Sequence, residues 1–244
     1  MFNTFSFVRA IAEPRKKSIL PIKQASLEHI DSQLSVQSKQ GENYLFHYQK
    51  IIFMAGEGNE YLLSRFSCDA PVRQRRPLKM VVMRGVQNDM IYAHCLGASV
   101  NPRITITSHR DTEGAIVWYM GGQLAEEGVN KNDAELVQAT KDELSDLIPW
   151  LELEHAQWGV LKINRAEIKK PGTTRPDSFS IEESNNVITA WPTKMALAPA
   201  LADVVLAKMN NENIVPGTDL SMPGWAEPEY ADFPWNEAEF WSSQ

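Results

Sequence analysis

The chain has 244 residues, 43% of them hydrophobic, and a formal net charge of −7, values typical of a soluble globular protein with one large domain or two small ones. No apolar run is as long as a membrane span, the N-terminal residues reverse the order of a signal peptide, and two cysteines, Cys68 and Cys95, are too few for a disulfide framework. We therefore expect a cytoplasmic protein with no membrane partner.

The first predicted elements form a small meander of strands that begins at Ile22. The apolar run KIIFMAG follows at residues 50–56. A continuous run of this kind is typical of a strand that is buried on both faces. Gly56 and Gly58 interrupt it, and NEYLLSRF then predicts one or two turns of helix.

The centre of the chain predicts several strands and one strong helix. Residues 78–122 contain apolar runs spaced roughly a dozen residues apart, which suits antiparallel neighbours. Over residues 132–148 the apolar side chains recur at helical spacing. Asn132 and Glu135 form a variant of the capping box, and Pro149 stops the helix.

A further strand is predicted in WGVLKINRAEI. After a polar loop, NNVITAWPTKMALAPALADVVLAKM at residues 185–209 predicts a strand that leads directly into an amphipathic helix. Pro199 fits only the first helical turn, so the helix begins near residues 196–198. Two interpretations stay open: an ordinary strand–helix unit, or a helix N-terminus that faces an electron-rich ligand.

The tail, residues 210–244, has seven acidic side chains and no Lys or Arg, whereas residues 1–209 sum to zero charge. A neutral body with an acidic tail argues against nucleic-acid binding. The tail also holds three of the seven tryptophans, so we expect it to pack on the body or on a partner. A solvated face or internal ion pairs would explain the one basic cluster, Arg73, Arg75, Arg76 and Lys79.

The Gly56-x-Gly58 stretch imitates a dinucleotide-binding fingerprint. Tyr61 stands where the third glycine belongs, and no acidic residue ends a second strand about twenty residues later. We therefore expect no independent dinucleotide binding at this stretch. The sequence also has no His and Cys cluster at zinc spacing, no G-x-S-x-G and no P-loop, so no metal is expected.

Two residues are the candidates for catalytic or substrate-binding roles. His94 lies, like His109, in the strand-rich centre where a substrate pocket could form, and an ordinary structural histidine is the alternative. Arg165 lies in an otherwise apolar strand, where a guanidinium needs an anion. Either Glu167 or Glu182 could pair with it, or it could hold a substrate carboxylate.

In their order along the chain, these segments resemble the D-amino-acid-oxidase-like (DAO) family of FAD-dependent oxidoreductases. NVITAWPTKMALAPALADVVL is similar to the flavin-contacting C-terminal segment of that family, and YQKIIFMAGEGNEYL to the strand that returns to its nucleotide domain. RRPLKMVVMRG and IVWYMGGQLAEEGV are similar to strands of its substrate domain. The resemblance covers about residues 22–209.

The resemblance implies FAD as the cofactor and oxidation of an amine or amino acid by hydride transfer to the flavin. It implies that backbone donors at a helix N-terminus stabilise the negative charge of the reduced ring. Arg165 would hold the substrate carboxylate, with Arg175-Pro176-Asp177 as the competing position. The implied cofactor contacts are Ala55, Gly56, Gly58, Trp191, Pro192, Thr193, Lys194 and Met195.

The predicted fold is α+β, with a partial FAD-binding domain packed on a substrate domain that has a mixed or antiparallel sheet. We expect parts of the FAD-binding domain at 1–70 and 186–209, the substrate domain at 71–185 and the tail at 210–244. Because no glycine-rich turn precedes Ile22, we expect a truncated or split enzyme. The alternative is a non-catalytic assembly subunit that contacts a partner subunit, or another copy, through the tail.

Overall fold

A computed structural model of the chain describes residues 3–23, 28–66, 68, 73–86, 89–99, 101–169, 177–212, 214 and 226–242. The helices in these residues are α1 Thr4–Ala12, α2 Asn59–Arg65, α3 Gln123–Glu127, α4 Asp133–Leu147, α5 Ala198–Asn211 and α6 Glu239–Ser242. The strands are β1 Glu28–Ile30, β2 Gln33–Gln37, β3 Asn43–His47, β4 Ile51–Phe53, β5 Arg73–Arg84, β6 Tyr92–Cys95, β7 Ile104–Arg110, β8 Ile116–Gly121, β9 Gln157–Ile168, β10 Ser180–Ser184 and β11 Val187–Trp191. This mixture of helices and sheets confirms the predicted α+β class.

The chain divides into two compact units. The central unit contains Arg76–Arg165 and Ala231–Gln244, and the flanking unit contains Phe2–Arg75 and Ala166–Tyr230. Both units are therefore assembled from segments that are distant in sequence.

A five-stranded sheet in the order β6-β7-β8-β5-β9 forms the centre of the central unit. The pairs β6–β7, β7–β8 and β8–β5 are antiparallel, as the spacing of the apolar runs predicts. Alternate side chains of each strand point to opposite faces, so one face collects an apolar set that α4 covers. That core contains Val81, Met83, Ile104, Ile106, Trp118, Met120, Leu136, Val137, Leu144 and Trp158.

The predicted capping box begins α4. The Asn132 side chain accepts a hydrogen bond from the Glu135 N–H, and the Glu135 carboxylate accepts one from the Asn132 N–H, both at 2.9 Å. Two of the amides that a helix start leaves without a backbone partner are thereby satisfied. The helix ends at Leu147, before Pro149, which confirms the predicted stop.

The second face of the central sheet packs against the C-terminal segment, residues 231–242. Trp235 is 3% exposed and lies against Val82 and Val117, with its ring stacked on Phe233 at 4.6 Å between centroids. Gly159 makes room for this segment, because a Cβ there would lie 2.3 Å from the Phe240 ring. This part of the tail therefore packs on the body, one of the two predicted outcomes. Contact with a partner through the tail stays a prediction.

Arg75 and Lys79 of the basic cluster form ion pairs. Arg75 lies 3.1 Å from the Glu57 carboxylate and 2.7 Å from that of Glu60. Lys79 lies 3.0 Å from Asp133. The interpretation as internal ion pairs is confirmed for these two cations.

The flanking unit contains two three-stranded sheets, β1-β2-β3 and β10-β11-β4. The first is the antiparallel meander that the sequence predicts. In the second, β10 and β11 are antiparallel, whereas β11 and β4 are parallel, and α5 packs on Ala190 through Leu201 and Val205. The start of α5 at Ala198, after a 3₁₀ turn at Met195–Leu197, agrees with the predicted start.

The prediction that KIIFMAG forms a strand buried on both faces is wrong. β4 is only Ile51–Phe53, and Ile52 is 37% exposed. Among the described residues β4 pairs on one side only, with β11, so it lies at a sheet edge. An apolar run alone does not distinguish an edge strand from a central one.

Trp235 tests how much the C-terminal segment stabilises the central unit. We expect Trp235→Ala to lower the free energy of unfolding by about 3 kcal/mol, because it empties a buried aromatic site. The matched control is Trp150→Ala, because Trp150 is 79% exposed. Chemical denaturation of both variants measures the difference, and equal stabilities would show that the segment does not hold the sheet.

A network of four charges ties β10 and the α5 end to the start of β4. Lys50, whose side chain is 6% exposed, pairs with Glu183 and Glu212, and Lys208 also pairs with Glu183. Hydrogen bonds from Lys208 and Lys50 lower the pKa of Glu183 from 4.5 to about 2. The folded state therefore favours the ionised carboxylate.

Since the folded pKa of Glu183 is depressed, its contribution to stability is complete above pH 4.5 and is lost as pH falls towards about 2. We expect Glu183→Gln to lower the free energy of unfolding by about 1–2 kcal/mol at pH 7, a value reduced for solvent screening of a partly exposed pair. The difference from the unchanged protein should shrink between pH 4.5 and 2. Glu182→Gln, on the opposite face of β10, is the control, and denaturation at a series of pH values is the measurement.

Candidate functional site

The candidate site lies at one end of the strands of the β10-β11-β4 sheet. In the parallel pair, Val187, Ile188 and Thr189 of β11 lie in register with Ile51, Ile52 and Phe53 of β4. Their carboxyl ends therefore lie at the same end of the sheet. Each strand continues into a loop, residues 55–58 after β4 and residues 192–197 after β11. Ligands of parallel sheets bind at this end, just outside the carboxyl ends of the strands.

Asn59, the first residue of α2, joins the two strand ends. Its side chain is completely buried, accepts a hydrogen bond from the Ala55 N–H at 2.7 Å and donates one to the Ala190 carbonyl at 3.4 Å. No motif in the sequence marks this residue as part of a site. Its only signal was a polar residue after a Gly-x-Gly turn at a helix start, which also predicts an ordinary cap.

The Ala55–Gly58 loop depends on one left-handed residue. Gly56 has φ +56°, which glycine adopts without strain, and a Cβ built there would meet no atom within 4 Å. The glycine is therefore required by the backbone and not by crowding. The space beside it is open.

The second loop contains a strained residue and an unpaired polar atom. Thr193 has φ 59°, a conformation that a β-branched side chain rarely adopts. Its Oγ1 atom is buried and has no hydrogen-bond partner among the described residues. Strain of this kind costs about 1–3 kcal/mol and is concentrated at functional sites. The Trp191 Nε1 atom is also unpaired, but so are those of Trp118, Trp158 and Trp235, so it does not mark the site.

The start of α5 has no side-chain cap. Leu197 occupies the N-cap position without a side-chain hydrogen bond, and Pro199 lies in the first turn. Lys194, Met195 and Ala196, just before it, are exposed. The partial positive charge of the helix N-terminus and the Lys194 ammonium are thus near an accessible turn, an arrangement that favours an anionic or electron-rich ligand.

The eight predicted cofactor contacts therefore belong to two loops that Asn59 joins. Ala55, Gly56 and Gly58 are in the β4 loop, and Trp191 ends β11 before Pro192, Thr193, Lys194 and Met195. Trp191 is buried, Pro192 and Thr193 are half-buried, and Lys194 and Met195 are exposed. Among the described residues, none covers Lys194 and Met195.

The two predicted catalytic residues lie in the central unit. His94 is exposed on β6, opposite Thr105 of β7. Arg165 is half-buried on β9, and strand alternation places it on the face of Leu161 and Ile163. Their roles stay predictions. Of the competing position, Arg175 and Pro176 lie outside the described residues.

Tyr119 lies within the electrostatic influence of Arg165. Burial raises the pKa of Tyr119, and the Arg165 charge lowers it by a smaller amount.

His109 has its ring 5.2 Å from those of Phe233 and Trp235, and burial lowers its pKa. His109 is consequently a packed residue beneath the C-terminal segment.

The described residues give no sign of metal or thiol chemistry. They contain no group of three His, Cys, Asp or Glu side chains placed to hold a metal ion. Cys68 and Cys95 are not in disulfides, and burial raises the pKa of the Cys95 thiol, which lowers its reactivity. Within the described part of the chain, no helix has the length and apolar character needed to cross a membrane.

In sequence and fold the chain is similar to FAD-dependent oxidoreductases, although no family model matches it. It is 40% identical over 191 residues to the probable FAD-dependent oxidoreductase PA4991 of Pseudomonas aeruginosa, a match that covers 78% of this chain and 49% of that protein. The crystal structure of PA4991 has a TM-score of 0.86 and 35% identity, over 96% of this chain and 64% of that one.

A second solved structure supports the fold alone. The glycerol-3-phosphate dehydrogenase of Bacillus halodurans, complexed with FAD, has a TM-score of 0.50 and 12% identity, over 81% of this chain and 40% of that one. The comparisons confirm the predicted similarity to FAD-dependent oxidoreductases. The chain spans about half the length of the curated relative, and the DAO subgroup stays a prediction.

Asn59 is the residue whose removal should separate the two loops. We expect Asn59→Ala to lower the free energy of unfolding by about 1–3 kcal/mol, because it leaves the Ala55 N–H and the buried Ala190 carbonyl without their partner. Asn210→Ala, at an exposed position of α5, is the matched control and should change stability by less than about 0.5 kcal/mol. Denaturant unfolding compares the two, and similar values would show that Asn59 does not join the loops.

Proposed function

We propose that this chain binds FAD and forms the ring-facing part of the flavin site in an oxidoreductase of the D-amino-acid-oxidase type. The observation that carries the proposal is the unpaired, buried Thr193 hydroxyl beside the uncapped start of α5, at the carboxyl ends of two parallel strands. The names of the relatives, FAD-dependent oxidoreductases, support the same cofactor.

The residues at the carboxyl ends of β4 and β11 fit the pyrimidine side of a flavin. That side offers carbonyl oxygens as acceptors and gains negative charge on reduction. The Leu197 and Ala198 amides are already bonded within the 3₁₀ turn, and Pro199 has no N–H. The Thr193 hydroxyl is therefore the donor, and the helix end and Lys194 supply positive charge. These groups would orient the ring and stabilise its reduced form. The sequence has no G-x-G-x-x-G, so its residues fit the ring better than the pyrophosphate of FAD.

We propose an amine or amino acid as the substrate, as the resemblance implies. When bound, the flavin accepts a hydride from such a substrate. The central unit would bind and orient this substrate. Arg165, half-buried and close enough to influence Tyr119, is the candidate for holding a substrate carboxylate, because a guanidinium binds carboxylates in a fixed two-pronged geometry.

Riboflavin, which has the ring without the pyrophosphate, tests the proposal directly. We expect the purified chain to quench riboflavin and FAD fluorescence with affinities within about threefold of each other, because the ring makes the contacts. Lack of quenching with both compounds would contradict flavin binding by this chain.

Thr193→Gly makes the same experiment specific to the site. The variant should bind riboflavin about fivefold more weakly, because one hydrogen-bond donor is lost. Its free energy of unfolding should be about 1 kcal/mol higher, because the strained backbone conformation is relieved. Asn185→Gly is the control, since Asn185 has φ 53° in the β10–β11 turn, away from the loops. Its riboflavin affinity should be unchanged; an equal loss of affinity in both variants would refute the role of Thr193.

A further inference from the structure

We infer that the C-terminal segment, residues 231–242, is a pH-sensitive strap: protonation of His109 releases it and uncovers the second face of the central sheet. The release takes place within the central unit and requires no flavin. It would expose Val82 and Val117, the apolar residues on which Trp235 packs.

His109 lies between the sheet and the segment. It is paired with Val117 of β8, so its side chain points to the face on which Trp235 packs. The centroid of its ring is 5.2 Å from those of Phe233 and Trp235 and 6.3 Å from that of Tyr119. A titratable ring is therefore one of the direct contacts between the sheet and the segment.

The surroundings of His109 favour a neutral imidazole. Among the described residues its ring makes aromatic contacts but no hydrogen bond and no ion pair. Burial lowers the pKa of His109 from 6.5, because a half-buried position disfavours the charged form. In the released state the ring is in water and recovers its ordinary pKa. Protonation therefore favours release.

The sheet brings two phenols and one paired cation to this face. Tyr119 of β8 and Tyr92 of β6 point to the same side as His109. Burial raises the pKa of Tyr119, so its hydroxyl stays neutral in mild acid. Arg84 lies 3.3 Å from the Asp111 carboxylate, with its guanidinium 4.4 Å from the Trp241 ring centroid. The carboxylate of Asp111 is thus engaged by a cation other than His109.

The acidic side chains of the segment are at its surface. Asp232 is exposed and accepts hydrogen bonds from the Phe233 N–H at 2.8 Å and the Asn236 amide at 2.5 Å. Glu237 and Glu239 are exposed as well. Among the described residues none of these carboxylates pairs with His109, so none offsets the cost of a proton on its ring.

The direction of the pH dependence follows from the lowered pKa. Because the pKa of docked His109 is below 6.5, the released state binds the proton more tightly. Docking is strongest above pH 6.5, weakens as pH falls through that value and stops weakening below the pKa of the docked state. Mild acid is therefore the signal to which the strap responds.

Hydrogen exchange of the full chain measures the release through the peptides that cover residues 231–242. Comparing proteins at the same pH removes the intrinsic pH dependence of exchange. Between about pH 7.5 and about pH 5, we expect the unchanged protein to lose at least about threefold more protection in this segment than His109→Phe, whose ring takes up no proton. Peptides of α4 should keep their protection.

Two further variants make the comparison specific. His109→Gln is neutral and polar, and like His109→Phe it should show no excess loss of protection in acid. His47→Gln removes an exposed imidazole of β3 and should behave as the unchanged protein does. Circular dichroism verifies that each variant is folded. NMR titration of the imidazole protons in the unchanged chain needs no variant and should give His109 a midpoint below 6.5.

Loss of protection that is confined to the segment and absent from both His109 variants upholds the strap. Equal loss in the unchanged protein and these variants overturns it, as does loss that α4 shares, which would be general unfolding. Stronger protection in acid would show that the aromatic rings attract the imidazolium, and it also overturns the inference. An NMR midpoint for His109 at or above 6.5 does the same.

Discussion

The parallel pairing of β4 with β11 is the interaction on which the candidate site depends. These strands are far apart in sequence, and their register places two loops at the same edge of one sheet. Asn59 then joins the strand ends through its buried amide. In a buried environment an amide that satisfies both ends holds them in one arrangement, because every alternative leaves a polar group unpaired.

Several departures from locally favourable structure coincide near Thr193. Thr193 has a left-handed backbone, its hydroxyl is unpaired, and α5 begins without a side-chain cap. By contrast, α4 has a complete capping box, and Arg75 and Lys79 have acidic partners. Strain at functional sites is common, and its coincidence with an unpaired hydroxyl at Thr193 is the physical basis for proposing that a flavin ring lies here.

The sheet of the central unit is covered on both faces. Helix α4 packs on one face, and the aromatic residues of the C-terminal segment pack on the other. The described acidic residues of the tail are exposed. Within the flanking unit, Glu227 and Glu229 lie near Lys16 and Lys39. His109 is packed by Phe233 and Trp235, whereas Arg165 is half-buried on β9.

The sequence by itself determined the local elements: the capped helix α4, the start of α5 near Pro199, the antiparallel meander and the two loops that hold the predicted cofactor contacts. Caps, turns and side-chain periodicity act over a few residues, so they can be read directly. Only the tertiary structure decided that β4 is an edge strand, that Asn59 joins two loops and that Trp235 packs on the sheet. These features depend on which faces and edges meet, and hydrophobic pattern shows that a face is apolar without showing what covers it.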